Sequence, residues 1–287
     1  MAIIVDENTR VLVQGITGHQ GSFHTGEMIK FGANVVAGVT PGKGGQEVHG
    51  VPVYDTVEEA MEMEPNATMI AVPAPYVKDA AFEALYNGIK VLHILTEGVP
   101  FHDSMEIVSY AKTKGAVIVG PNGPGIASPF KAKVGIMPNS IFAEGFVGVA
   151  SRSGTLTYEI VNALTQNNIG QSTVIGLGGD PIVGLSFVDV LHMFEQDEQT
   201  KAVVLVGEIG GTAEEDAAEY IKREVSKPVV AYIAGRTAPP GKRMGHAGAI
   251  ITRGMGTAES KIRAFEEAGV PVAKFPTDVP NLLQNIL

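Results

Sequence analysis

The chain of 287 residues contains no cysteine. This absence excludes a disulfide framework, thiolate catalysis and cysteine-ligated metal sites, and it is consistent with a reducing compartment. The chain also lacks an excess of basic charge, because 21 lysines and arginines stand against 31 aspartates and glutamates, giving a net charge of −10. A protein that binds nucleic acid through the phosphate backbone needs a basic face, so we expect no nucleic-acid partner.

Long apolar runs are missing as well. The N-terminus has no basic segment followed by an apolar stretch of signal-peptide length. No run in the chain approaches the roughly 20 residues that a membrane-spanning helix requires. We therefore expect no membrane association and a cytoplasmic location. Apolar residues nevertheless make up 45% of the chain, which is enough for the cores of two domains.

Short apolar runs alternate with helical patterns along the whole chain. Near-continuous runs of this kind are typical of parallel strands that are covered on both faces. In the first half they are Arg10–Gln14, Asn34–Val39, Thr68–Val72, Val91–Leu95 and Ala116–Val119, and in the second half Val147–Ala150, Thr173–Leu177, Ala202–Val206 and Val229–Ile233. The alternation predicts two α/β domains with doubly wound parallel sheets. A glycine and proline cluster at 120–125 separates them, so we place the domains at 1–122 and 123–287.

Glycine-rich loops follow the predicted strands, at the sheet edge where open α/β proteins bind ligands. Gly15–Gly21 has the spacing G-x-x-G-x-x-G and opens a helix whose N-terminus favours an anion, although a tight turn explains the glycines equally well. Lys43, between glycines after the next strand, favours a ligand with several phosphates over a simple exposed lysine. Pro73 would form a wall of the same pocket. No acidic residue follows Val39, where NAD-binding sheets carry one, so NAD is disfavoured.

The second half contains residues suited to phosphoryl transfer. His246 lies among glycines just after Lys242 and Arg243, and a neutral imidazole is a nucleophile near pH 7. Glu208 ends a buried strand, where an ionised carboxylate needs a partner, and His246 is the candidate. Glu208 would fix the tautomer of His246 and stabilise its phosphorylated form. The loop at 151–155 opens a helix and would bind an anion, unless it is only a capping turn.

These segments together resemble the α subunits of succinyl-CoA synthetases, the NDP-forming succinate–CoA ligases. The resemblance runs through essentially the full length, and its most specific parts are residues 151–158 and 241–249. It implies a Rossmann-like CoA-binding domain followed by a flavodoxin-like domain, with a separate ATP-grasp β subunit that carries the Mg-nucleotide. His246 would be the phosphorylated histidine in the reversible conversion of succinate, CoA and NTP to succinyl-CoA, NDP and phosphate, through succinyl phosphate.

The resemblance also implies which residues bind ligands. The implied CoA contacts are Thr17, Gly18, His19, Gln20, Lys43, Thr96, Glu97 and Gly98. Tyr158 would face the carboxylate substrate and the β subunit, and Ser153, Gly154 and Thr155 would bind phosphate. Two segments depart from the family pattern. Gly123 stands where a cysteine is common, so thiolate chemistry is not needed at that turn, and Asn139-Ser140 replaces the expected Gly-His.

Three other functions are consistent with much of the same sequence. A related acid–CoA ligase that uses malate, citrate or another acid would have a similar chain, because the missing subunit builds part of the acid pocket. A non-catalytic CoA- or nucleotide-binding protein is the second, although binding alone needs neither His246 nor Glu208. An NAD-dependent oxidoreductase is the third, and the loop spacing disfavours it. The remaining histidines show no paired spacing typical of a metal site, so we expect no metal on this chain.

Overall fold

The computed structural model describes residues 2–239, 241–251 and 255–287, which fall into two compact units. The first unit comprises Ile4–Asn139 and Ile182–Gly184. The second comprises Ser140–Pro181 and Leu185–Leu287, with the N-terminal residues up to Ile3. The two units are defined by compactness, whereas a domain is a segment that can fold by itself. The domain limits 1–122 and 123–287 therefore stay predictions.

The first unit alternates strands with helices. Its strands are β1 (Arg10–Gln14), β2 (Asn34–Val39), β3 (Glu47–Val48), β4 (Val51–Tyr54), β5 (Ala67–Ile70), β6 (Val91–Ile94), β7 (Val117–Val119), β8 (Gly125–Ser128) and β9 (Ala132–Gly135). Its helices are α1 (His19–Phe31), α2 (Val57–Ala60), α3 (Val77–Tyr86) and α4 (Phe101–Thr113). The sheet order is β3-β4-β2-β1-β5-β6-β7, and neighbouring strands are parallel except for the β3–β4 pair. Strands β8 and β9 form an antiparallel hairpin.

Helices cover the central strands of this sheet, which explains their continuous apolar composition. Leu12, Ile70 and Leu92 on β1, β5 and β6 are fully buried in one core cluster with Ala81 and Leu85 of α3. Since these strands are parallel, the loops that follow β1, β2, β5 and β6 meet at one edge of the sheet. The predicted glycine loops of the first half are therefore brought together at this edge.

The second unit is also doubly wound. Its strands are β10 (Glu144–Ser151), β11 (Gln171–Gly176), β12 (Ala202–Glu208), β13 (Val229–Ala234) and β14 (Val272–Ala273), and its helices are α5 (Gly154–Gln166), α6 (Phe187–Gln196), α7 (Ala213–Glu224), α8 (Ala258–Glu267) and α9 (Val279–Gln284). These strands are parallel and lie in the order β14-β13-β12-β10-β11. Numbered within the unit this is the flavodoxin-like order, which reverses direction at β10. The predicted α/β fold class, Rossmann-like and then flavodoxin-like, is confirmed.

A buried lysine gives a structural account of Asn139, one of the departures from the family pattern. Lys133 in β9 is 1% exposed, and its ammonium donates to the carbonyl of Met137 at 3.0 Å and to the side-chain oxygen of Asn139. The Asn139 amide donates in turn to the carbonyl of Glu27 at 2.9 Å. Burial lowers the pKa of Lys133 to about 8. Asn139 thus supplies an acceptor that a buried ammonium needs and that a glycine side chain lacks.

Candidate active site

His246 and Glu208 are in direct contact. Glu208 is the last residue of β12, and its side chain is only 8% exposed. Nδ1 of His246 lies 3.0 Å and 2.9 Å from Oε1 and Oε2 of this carboxylate. A carboxylate at this distance selects the tautomer in which Nδ1 carries the proton and donates it. The carboxylate also lies where it would stabilise a positive charge on the ring, which is the role predicted for Glu208.

A glycine allows the imidazole to lie where it does. A Cβ atom added to Gly179, which follows β11, would lie 2.3 Å from Cγ of His246, closer than two carbon atoms can approach. The loop that bears His246 is attached to the same place, because the N–H of Gly248 donates to the carbonyl of Gly179 at 3.1 Å. The loop also closes on itself through the N–H of Met244 and the carbonyl of Ala249, 2.9 Å apart. These contacts define the ring position next to Glu208.

Buried charges surround the Glu208 carboxylate. Arg152, which follows β10, has one guanidinium nitrogen 3.5 Å from Oε1 of Glu208 and another 3.0 Å from Oε1 of Glu214. The same Glu214 oxygen accepts the main-chain N–H of Glu208 at 3.1 Å. Lys261 of α8 pairs with the other oxygen of Glu214 and lies 2.9 Å from Glu215. The side chains of Glu214 and Lys261 are completely buried, so each balances the charge of the other.

The start of α5 lies in the same unit, directly after Arg152. Ser153 is the N-cap residue, and its hydroxyl accepts the N–H of Leu156 at 3.4 Å. Gly154 and Thr155 are the first two helical residues, whose N–H groups have no partner within a helix and carry its partial positive charge. Tyr158, one turn further along, is half-buried, and burial raises the pKa of its phenol. The structure shows the serine cap at this helix start, and phosphate binding by Ser153, Gly154 and Thr155 stays a prediction.

A cavity of about 540 Å³ lies at the carboxyl edge of the first unit's sheet. It is lined by Gln14, Gly15, Thr17, Gly18, Val39, Thr40, Pro41, Ala71, Val72, Pro73, Tyr76, Asp79, Ala80 and Glu83. Gly15 has φ of +84°, and a Cβ atom there would lie 2.6 Å from the carbonyl oxygen of Ala71. The glycine loop therefore passes directly against the backbone of Ala71, after β5, and leads into α1. Among the predicted CoA contacts, Thr17, Gly18 and Pro73 line this cavity.

The other predicted CoA contacts lie outside the cavity lining. His19 and Gln20 are exposed at the start of α1, and Lys43 is exposed in the turn after Thr40. The hydroxyl of Thr96 donates to the carbonyl of Val72 at 2.6 Å, which fixes the loop after β6 to the loop after β5. Glu97 and Gly98 follow in this loop and are exposed. The assignment of all these residues to CoA stays a prediction.

Comparison with known proteins identifies the family. The CoA binding domain family matches residues 6–98, and the CoA-ligase family matches residues 150–271. The chain is 62% identical to the succinate–CoA ligase (ADP-forming) subunit alpha 2 of Archaeoglobus fulgidus, over the full length of both chains. It is 54% identical to the α subunit of the same enzyme from Aquifex aeolicus, over all of this chain and 95% of that one. The chain belongs to the succinate–CoA ligase α-subunit family.

Solved structures of larger chains share the α-subunit fold. ATP citrate lyase from Methanothrix soehngenii, in complex with citrate and coenzyme A, superposes with a TM-score of 0.88 over 99% of this chain and 50% of its own. PH0766 from Pyrococcus horikoshii superposes with a TM-score of 0.74 over 94% and 58%. Sequence identity to each is 24%, so these likenesses establish the fold alone.

Sequence reasoning missed several residues of this α-subunit site. Arg152, Glu214 and Lys261 were not among the candidates, although Arg152 lies within the loop at 151–155. A signal for Lys261 does exist, because it lies on the apolar stripe of α8 between Ala258 and Phe265, at spacings of three and four residues. A lysine on an apolar stripe that faces the core has to pair with a buried acidic group, and this is the signal for Lys261. In the cavity of the first unit, the lining residues Gln14, Tyr76, Asp79 and Glu83 were also not predicted.

Two further properties concern the part of the chain that the structure describes. Within residues 2–239, 241–251 and 255–287, no cluster of three or more histidine, aspartate or glutamate side chains has the arrangement of a metal site. Over the same ranges, no helix combines the length and the apolar character that crossing a membrane requires.

Proposed function

We propose that this chain is the α subunit of a succinate–CoA ligase and that Nε2 of His246 carries the phosphoryl group during the reaction. The contact of Nδ1 with Glu208 is the observation that carries the proposal. Because Nδ1 donates its proton to Glu208, the lone pair of the neutral ring is on Nε2, which makes this nitrogen the nucleophile. Glu208 then stabilises the imidazolium that forms.

The reaction proceeds by three transfers. Phosphate attacks the thioester carbonyl of succinyl-CoA, the C–S bond breaks, and succinyl phosphate and CoA thiol are formed. Nε2 of His246 then attacks the phosphorus, and the bond from phosphorus to the succinyl oxygen breaks, which releases succinate. The phosphoryl group finally passes from His246 to NDP, giving NTP and restoring the neutral ring. The reverse sequence forms succinyl-CoA from succinate, CoA and NTP.

The second unit supplies the groups that stabilise the transferred phosphoryl group. Negative charge develops on the oxygens of the phosphoryl group during the transfer. These oxygens can be bound by the N–H groups of Gly154 and Thr155 and by the hydroxyl of Ser153. Tyr158 faces the succinate carboxylate and the partner subunit in this proposal. In the first unit, CoA occupies the cavity after β1, with its phosphates on the glycine loop and Lys43.

This chain contributes only part of the enzyme. The nucleotide and its Mg²⁺ bind to a β subunit with an ATP-grasp fold, and the assembled enzyme is cytoplasmic. The family membership and the subunit names of the relatives support a hetero-oligomer. The chain's own role is to bind CoA, to hold the phosphate near His246 and to carry the phosphoryl group.

Phosphorylation of the chain tests the proposal. The full chain is co-expressed with its partner subunit and incubated with γ-³²P-labelled ATP or GTP. We expect an acid-labile label on this chain that disappears in the His246→Asn variant. The matched control is His102→Asn, which changes an exposed imidazole on α4 and should leave the label unchanged. A label that persists in His246→Asn would contradict the assignment.

Two measurements test the substrates. Activity with succinate, malate and citrate, each with ADP and GDP, should be highest with succinate; a clear preference for malate or citrate would favour the related acid–CoA ligases. Titration of the chain with CoA and with NAD should show binding of CoA alone. Binding of NAD without CoA would contradict the proposed ligand of the first unit.

A further inference from the structure

Arg152 lies between two carboxylates of different function. One is Glu208, the partner of His246, and the other is Glu214 on α7, the partner of Lys261. The guanidinium donates to Glu214 at 3.0 Å and to the carbonyl of Gly210 at 3.1 Å, and it approaches Glu208 at 3.5 Å. Its strongest hydrogen bonds are therefore to α7 and to the loop before it.

Glu214 is itself held from several directions. Lys261 pairs with one of its oxygens, and the other oxygen receives both the guanidinium of Arg152 and the N–H of Glu208. The carboxylate is completely buried, so it cannot leave this position for solvent without separating the buried charges. A fixed Glu214 in turn fixes the planar guanidinium, because an arginine fork keeps a definite geometry against its acceptors.

We propose that Arg152 is a positioning residue for His246, held in place by Glu214 and Lys261, and that it sets the orientation and charge of Glu208 toward the imidazole. This inference rests on the proposed function of His246 as the phosphoryl carrier. The role is separate from binding phosphate at the start of α5, which uses the residues after Arg152. Arg152 acts on the imidazole through Glu208.

The charged groups around the imidazole determine what loss of Arg152 does. Glu208 faces the ring from β12, Asp180 follows the glycine that touches the ring, and Lys242 and Arg243 lie on its own loop, exposed to solvent. Arg152, directly after β10, pairs with Glu208. Its removal takes a positive charge away from the neighbourhood of the ring, and this change favours protonation of His246.

Titration of His246 by NMR tests this inference without any substrate. The full chain is labelled with ¹³C and ¹⁵N in histidine, and the His246 signals are identified by their loss in His246→Asn. In Arg152→Met we expect the midpoint of the His246 titration to rise by about one pH unit, the lower end of the effect of a neighbouring charge. Arg152→Lys keeps the positive charge but loses the planar guanidinium, so its His246 midpoint should lie between those of the wild type and Arg152→Met.

The contribution of Glu214 is tested by a double-mutant cycle. Glu214→Gln should alter the His246 titration in the otherwise unchanged chain and add little in the Arg152→Met chain, because the charge of Glu214 acts through Arg152, while a glutamine oxygen can still accept the main-chain N–H of Glu208. Arg223→Met is the matched control, because it removes an exposed arginine of α7 whose partner Glu219 is also exposed. It should leave the titration unchanged.

The outcomes separate this inference from the proposed function. An unchanged His246 titration and tautomer in Arg152→Met, with the wild-type chain still phosphorylated, would overturn the positioning role alone. Absence of label on the wild-type chain would overturn the proposed function, whatever the titration shows. A raised midpoint, with slower labelling near neutral pH and normal labelling about one pH unit higher, would support the role of Arg152, because a purely structural loss would slow labelling at every pH.

Discussion

Nδ1 of His246 lies within hydrogen-bond distance of both oxygens of Glu208, 3.0 Å from Oε1 and 2.9 Å from Oε2. The whole carboxylate, and not a single oxygen, thus faces the ring. Negative charge placed this way stabilises a cationic ring more than it stabilises a neutral one. It is therefore suited to the step in which Nε2 gains a phosphoryl group.

Replacing Glu208 by glutamine should slow phosphorylation of the chain strongly. Glutamine keeps the size of the side chain but loses its charge, so the cationic ring is no longer stabilised. Its amide can donate to Nδ1 as well as accept from it, so the tautomer is no longer selected. We expect the single-turnover rate of labelling to fall by about 10²–10⁴-fold, as for other histidines that lose their carboxylate. Glu219→Gln, an exposed change on α7, is the control. A wild-type rate in Glu208→Gln would refute the role of this carboxylate.

Gly179→Ala should separate the imidazole from Glu208. The new methyl group would lie 2.3 Å from Cγ of His246, so the ring has to move. A displacement of about 1 Å in a reacting group costs on the order of 10²-fold in rate, and we expect a loss of this size in labelling. The melting temperature is measured alongside, so that lost labelling in a chain that is still folded can be assigned to the displaced ring. Labelling at the wild-type rate would show that the ring does not need its present position.

Lys43→Met tests the predicted phosphate contact of CoA. Lys43 is exposed, two residues after Pro41 of the cavity lining, so its charge is screened by solvent. One exposed charge contact is worth about 1 kcal/mol, which corresponds to roughly fivefold weaker CoA binding by calorimetry. The difference should shrink at high salt. Lys112→Met, on an exposed position of α4, should bind CoA normally; an equal loss in both variants would argue against a specific contact.

His93 should make the stability of the chain depend on pH. It is completely buried in β6, its Nε2 lies 2.8 Å from the carbonyl of Gly123, and its Nδ1 has no partner within the described residues. Burial lowers its pKa to about 4 from 6.5. The unfolded chain therefore binds more protons between these values, so stability present above pH 6.5 is lost as the pH falls toward 4.

The size of this effect is measurable by urea unfolding. A difference of this size in pKa corresponds to about 3 kcal/mol of unfolding free energy between pH 7 and pH 4. His93→Gln keeps a polar side chain but does not titrate, so its stability should fall less over this range. His102→Gln, which alters an exposed imidazole, should keep the wild-type dependence. Parallel curves for His93→Gln and the wild type would exclude His93 as the cause.

The parallel sheets could be predicted from sequence because strands buried on both faces have a composition that few other elements share. The runs Arg10–Gln14 and Asn34–Val39 coincide with β1 and β2. The two-residue strands β3 and β14 could not be predicted, since they exist through pairing with a neighbour and have no pattern of their own. Their positions follow from tertiary structure.

The site was predictable where the backbone alone determines proximity. Glu208 and the loop of His246 follow neighbouring strands of one sheet, so their contact could be inferred from chain order. Arg152 and Lys261 have long side chains that reach several directions from one backbone position. Only the packing of α7 and α8 selects Glu214 as their common partner, and the sequence does not encode that choice locally.

The buried position of Glu214 restricts how this site can evolve. It joins the main chain of Glu208, the guanidinium of Arg152 and the ammonium of Lys261. Loss of one member of such a cluster leaves another charge uncompensated, at a cost of about 3–5 kcal/mol. Paired substitutions that remove opposite charges together at positions 152, 214 and 261 should therefore cost less stability than single ones. The surface loops nearby are free of this constraint and can vary one residue at a time.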